Sequence, residues 1–124
     1  MSGLSDYLEN ELLDHVLRNS AYTPVATVYL TLFNGSPTDS GTGGTEVAVT
    51  RQAAAFGAAS GGAVSNSSSI SFTSMPAGDV THVAIYDAGS GGNLLFHGSL
   101  SSPVTTASGD TFTIEANDLD ITLD

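Results

Sequence analysis

The spacing of the apolar residues changes near position 20 of the chain. In the first seventeen residues, apolar side chains recur every four positions from Leu4 to Val16, which is the period of an amphipathic helix. From Thr23 onward, the chain instead carries short runs of alternating apolar and polar residues, separated by Ser, Thr and Gly. Such alternation is typical of half-buried β-strands. We therefore predict one helix over Met1–Leu17, followed by a β domain.

Several segments of the second part have the pattern of strands. Ala26–Phe33 carries apolar residues on both faces, which is typical of a central strand. A hairpin is indicated where Val80–Tyr86 and Leu94–Leu100 flank a Gly-rich segment. The remaining strand-like segments are Glu46–Gln52, Val64–Thr73, a segment that starts at Pro103, Thr111–Glu115 and Leu119–Leu123.

These segments together define a fold class. About six to eight short strands separated by turn residues are typical of a sandwich or a barrel. We therefore expect a mainly β protein, built as a compact antiparallel β-sandwich or barrel with one N-terminal amphipathic α-helix. The predicted division places the helix in residues 1–19 and a single β domain in residues 20–124. Ser2 or Ser5 is a suitable N-cap for the helix.

The charge of the chain excludes some classes of partner. Thirteen Asp and Glu residues stand against two strong cations, Arg18 and Arg51, which gives a formal net charge of −11. Nucleic-acid binding needs clustered Lys and Arg, and so does binding to an anionic membrane surface. No apolar run approaches the roughly 20 residues that span a bilayer. We expect neither nucleic acid nor membrane as a partner, whereas a protein with a basic docking face would fit.

Side chains that often carry chemistry are present without the spacing that chemistry needs. His82, His97 and Asp87 lie on or near the predicted hairpin, but no pair of histidines has the spacing of a metal motif. Ser90 follows a Gly, but the first Gly of a G-x-S-x-G motif is missing. The Gly-rich segments lack the G-K-[ST] of a phosphate-binding loop. We expect no catalytic, cofactor or metal site, and no enzyme activity.

The apolar face of the N-terminal helix is the candidate interaction surface. It could pack on the chain's own sheet, or it could dock on a neighbouring subunit. The predicted interface residues are Leu4, Tyr7, Leu8, Glu11, Leu12 and Val16.

Several stretches of the chain resemble a known family. They are Gly3–Val16, Tyr22–Pro24, Val80–Ala88, Gly91–Leu95 and the ending Gly109–Asp124. In order and spacing they resemble small bacteriophage virion proteins that are commonly labelled tail fibre proteins. The resemblance covers nearly the whole chain. It implies a structural protein of the virion with no catalytic residues.

Two functions within the virion follow as expectations. The short chain without internal repeats favours a capsid decoration, or cement, protein. It would bind the major capsid protein on the surface of the assembled head as a homotrimer, after assembly in the host cytoplasm, and would stabilise the shell by binding only its assembled form. The alternative is a small tail or fibre component that contacts the tail or the host surface. Exposed aromatic residues for stacking on sugars would then be expected, with Tyr29, Tyr86 and Phe96 as candidates.

Overall fold

The computed structural model describes residues 3–123 and contains one helix and ten strands within that range. In chain order they are β1 (Gly3–Leu4), α1 (Asp6–Leu17), β2 (Val28–Asn34), β3 (Thr45–Glu46), β4 (Gln52–Ala54), β5 (Ala63–Ser65), β6 (Ile70–Met75), β7 (Gly78–Tyr86), β8 (Leu94–Thr106), β9 (Asp110–Ile114) and β10 (Asp120–Thr122).

Six of the strands form one antiparallel sheet. Its order is β1-β8-β7-β2-β3, and β4 pairs with β2 beside β3. The predicted hairpin is confirmed as β7 and β8, with Ile85 opposite Phe96. The predicted central strand is confirmed as β2, which lies between β7 on one side and β3 and β4 on the other.

Two further antiparallel pairs, β5 with β10 and β6 with β9, pack against this sheet. The predicted antiparallel sandwich is therefore confirmed. The alternative of a barrel is wrong, because the large sheet ends at β1 and at β3 and does not close. The shared core contains Leu8, Leu30, Leu32, Ala54, Ile70, Phe72, Met75, Val80, Val83, Ile85, Leu95, Leu119 and Ile121.

The helix begins later than the apolar spacing predicts. Gly3 and Leu4 pair with β8 as a short strand, and α1 starts at Asp6. The helix starts there because the Ser5 side chain accepts a hydrogen bond from the Leu8 N–H at 3.1 Å, which makes Ser5 the N-cap. The predicted helical positions Met1 and Ser2 lie outside the described residues.

The prediction of one continuous strand over Glu46–Gln52 is wrong in the middle of that segment. It is split into β3 and β4, which both pair with β2. Between them, the Val49 N–H donates to the Val47 carbonyl at 2.8 Å, so the chain turns away from the sheet and returns. A turn of this kind does not change the apolar alternation, which explains why the sequence pattern did not reveal it.

Two other predicted strand limits also differ. The segment Val64–Thr73 is divided into β5 and β6 by Asn66, which is fully buried. The Asn66 amide donates to the carbonyls of Ser68 and Glu115, and its oxygen accepts from the Leu119 N–H at 2.9 Å. Pro103 does not start a new segment, because β8 continues through it to Thr106. Pro103 lies where the β7–β8 register shifts, a position in a sheet that tolerates Pro.

Candidate interaction surface

Hydrogen bonds to neighbouring strands and loops fix the N-terminus of α1. The backbone N–H of Ser5 donates to the Leu95 carbonyl, and that of Asp6 donates to the Asp39 carbonyl, both at 2.9 Å. The Ser5 hydroxyl also donates to the carbonyl of Leu94. Because Ser5 is buried, these bonds hold the helix at one position against the start of β8.

The structure divides the six predicted interface residues between the core and the surface. Leu8 is buried in the core of its own chain. Leu4 and Leu12 are half-buried and pack against that core. Glu11 is half-buried, whereas Tyr7 and Val16 are exposed.

Tyr7 is exposed and lies close to acidic groups. Partial burial, followed by the carboxylates of Glu11 and Asp87, raises its pKa. The same causes, with Tyr7 itself, raise the pKa of the nearby half-buried Tyr22. Tyr22, in the linker between α1 and β2, also packs against the core.

The exposed side of α1 carries apolar residues toward its C-terminal end, and of these the predicted interface residues include Val16 alone. Leu13, Val16 and Leu17 are 56%, 73% and 74% exposed. Leu13 and Leu17 are four residues apart and therefore share a face. The helical period that identified the buried stripe also places these residues on a second, adjacent stripe. An exposed apolar stripe on a helix is typical of an interaction surface.

A groove lies between α1 and the end of β10. We call it the helix groove, and its volume is about 880 Å³. Leu123, on the side opposite Leu13, is 49% exposed. The lining residues are Leu4, Glu9, Asn10, Leu12, Leu13, Thr122 and Leu123.

Three carboxylates cluster where α1 begins. Oxygen atoms of Asp6, Glu9 and Asp39 lie within 4.8 Å of one another, so the group has donors suited to a metal ion. His97 Nε2 lies 2.7 Å from Asp39 Oδ1. All three acidic residues are exposed, and exposed acidic groups are common without a metal. They place three acidic groups together at this end of the helix.

His82 and Asp87, the other hairpin residues considered for catalysis or metal binding, each have a separate hydrogen-bond partner. His82 Nδ1 lies 2.8 Å from the Thr81 hydroxyl. The Asp87 carboxylate accepts from the backbone N–H of Asn93 at 2.7 Å. Of the aromatic residues considered for sugar stacking, Tyr86 is buried, and Tyr29 and Phe96 are half-buried.

Arg51 forms a partly buried cluster that the sequence pattern did not indicate. Its guanidinium donates to both carboxylate oxygens of Glu46, at 2.8 and 3.0 Å. It also donates to the carbonyls of Ala88 and Gly91, at 2.9 and 2.8 Å. The guanidinium carbon lies 4.0 Å from the centre of the Tyr86 ring, within the range of a cation–π contact. Arg51 thus ties the turn between β3 and β4 to the tip of the β7–β8 hairpin.

The ionisation of this cluster follows its contacts. The hydrogen bond from Arg51 lowers the pKa of Glu46, which also accepts from the Thr31 hydroxyl at 2.7 Å. The same pair raises the pKa of Arg51. Burial raises the pKa of Tyr86. All three shifts keep the ion pair charged and the ring neutral near pH 7.

In the part of the chain that the structure describes, no helix is both long and apolar enough to cross a membrane.

A search of curated proteins finds no match to this chain. A comparison with protein families does find one. The model of the family described as "Podophage GP4 fiber I protein gp80" matches residues 3–122, which include β1, α1 and nearly all of the helix groove. The match makes this chain a phage structural protein and a component of the virion. On this match, the chain belongs to the Podophage GP4 fiber I protein gp80 family.

Proposed function

We propose that this chain is a structural component of a phage fibre and that α1 attaches it to a neighbouring virion protein. The match of the family described as a fiber I protein over residues 3–122 is the observation that supports the fibre assignment. The exposed face of Leu13, Val16 and Leu17 supports the role of the helix. Burying apolar side chains of this size in an interface removes them from water and favours association.

The anchoring of α1 supports this role further. A helix that presents an apolar face is a better attachment device when its own position is fixed, because less entropy is lost on binding. Ser5 and Leu8 fix α1 through capping, hydrogen bonds and core packing. The outer residues are then free to contact a partner without loss of the inner contacts.

Capsid decoration is the second candidate. It is supported by the compact sandwich and by the absence of an internal repeat in the sequence, since repetition is typical of extended shafts. In that case the major capsid protein would be the partner, and the chain would stabilise the head by binding its assembled form. Homotrimeric self-association stays a prediction for either function, and mass photometry of the purified chain tests it.

Copy number and position in purified virions distinguish the two functions. Quantitative mass spectrometry gives the ratio of this chain to the major capsid protein, and immunogold electron microscopy gives its position. The fibre proposal expects far fewer copies than the capsid protein, with gold on the tail or its fibres. A ratio comparable to that of the capsid protein, with gold over the whole head, would overturn the fibre proposal in favour of decoration.

A further inference from the structure

The helix groove has the geometry of a site for an apolar ligand surface. Leu4 and Leu12 are half-buried, whereas Leu13 and Leu123 are exposed on opposite sides. Its volume of about 880 Å³ is enough for several side chains. Val16 extends the apolar surface by one turn of α1 beyond Leu12. A groove of this kind suits the apolar face of a second amphipathic helix.

The charges around the groove are acidic. Glu9 is the charged residue among those that line it, and Asp6 and Asp39 lie within 4.8 Å of Glu9. Within the cluster, His97 Nε2 lies 2.7 Å from Asp39 Oδ1. Arg18, the C-cap of α1, lies 3.4 Å from Asp14. The other strong cation, Arg51, is bound to Glu46. The groove therefore combines four apolar side chains, Leu4, Leu12, Leu13 and Leu123, with acidic groups at the end where α1 begins.

This charge distribution selects the chemistry of the occupant. A second copy of the chain would bring another net charge of −11 to the interface, and like charges facing each other cost free energy. A segment with an apolar face and flanking Lys or Arg residues would fill the groove and place its cations near Asp6 and Glu9. We propose that the helix groove binds a cationic amphipathic helix of another virion protein. The inference rests on the proposed function, in which α1 attaches this chain to a different virion protein.

Peptide binding to the full-length chain tests this proposal. The probe is a fluorescent peptide of about 18 residues, roughly five helical turns, with Leu on one face and Lys on the other. One control peptide has the same composition in scrambled order, and a second has Glu in place of Lys. We expect the probe to bind at least tenfold more tightly than either control in fluorescence anisotropy, with weaker binding as salt rises.

Variants of the chain locate the site. The double substitution Leu13→Ser and Leu123→Ser should weaken probe binding at least tenfold, because it removes apolar side chains on both sides of the groove. Val25→Ser is the matched control, since Val25 is an exposed apolar residue that does not line the groove. It should leave binding unchanged. Circular dichroism checks that all variants keep the fold, and Leu13 and Leu123 are sufficiently exposed to be replaced without loss of the core.

Several results would overturn the proposal. Equal binding of the scrambled peptide would mean that charge attraction alone, without an apolar helix face, accounts for the binding of the probe. No binding of the probe, or no loss of binding in the double variant, would remove the groove as the site. If the chain self-associates and the double substitution abolishes this self-association, the groove binds a second copy of the chain. None of these results changes the copy number or position in virions, so the groove can fail while the fibre assignment stands.

Discussion

Arg51 and Arg18 carry the same charge in opposite environments. The side chain of Arg51 is 8% exposed and that of Arg18 is 75% exposed. Removing Arg51 takes one donor from Glu46, which keeps the Thr31 hydroxyl, and from two carbonyls, and partly buried groups that lose a partner are costly. We predict that Arg51→Ala lowers the free energy of unfolding by about 2–4 kcal/mol, whereas Arg18→Ala lowers it by less than about 0.5 kcal/mol. Urea denaturation of both variants measures the difference.

A third variant separates charge from geometry at the same position. Lys keeps the positive charge of Arg51 but cannot donate to Glu46, Ala88 and Gly91 in the planar arrangement of a guanidinium. Arg51→Lys should therefore recover less than half of the loss. Full recovery by Lys would mean that charge alone matters. Sequence reasoning could not foresee this cluster, because the two carbonyls lie 37 and 40 positions away along the chain.

At the scale of elements, α1 has two faces with different roles. Leu8 is 5% exposed and lies in the core, whereas Leu13 is 56% exposed. Leu8→Ala should leave a cavity beneath the helix and lower the free energy of unfolding by about 2–4 kcal/mol. Leu13→Ala on the same helix should change it by less than about 0.5 kcal/mol. Equal losses in chemical denaturation would show that the outer face also contributes to the fold of the single chain.

The elements also show how far sequence periodicity reaches. It identified the helix, the central strand β2 and the β7–β8 hairpin, because in each the apolar period reports the buried face directly. It could not place the start of α1, since Gly3 and Leu4 are held by pairing with β8, a distant strand. It also could not reveal the helix groove, whose sides are α1 and Leu123 from opposite ends of the sequence.

At the scale of the whole molecule, net charge opposes folding. The compact state holds thirteen acidic residues close together against two strong cations, and unfolding lets them separate. Raising NaCl from about 0.01 M to about 0.15 M shortens the Debye length from about 30 Å to about 8 Å. We predict that this salt change raises Tm, because it screens the repulsion among the carboxylates of the compact state. A gain of about 1 kcal/mol in the free energy of unfolding corresponds to a rise in Tm of roughly 3–6 °C for a chain of this size.

The sign of that response depends on which charges the salt screens. Attraction within the Arg51–Glu46 pair is also weakened by salt, but the low exposure of Arg51 limits the effect. Repulsion among exposed carboxylates should therefore dominate.

Glu115 and Asp118 are both exposed, and a Glu115→Gln, Asp118→Asn variant removes two of these charges. It should have a higher Tm at low salt and a smaller rise with NaCl in differential scanning calorimetry. A Tm that falls as NaCl is added would mean that the few ion pairs outweigh the repulsion, and an unchanged slope in the variant would attribute the rise to a cause other than charge.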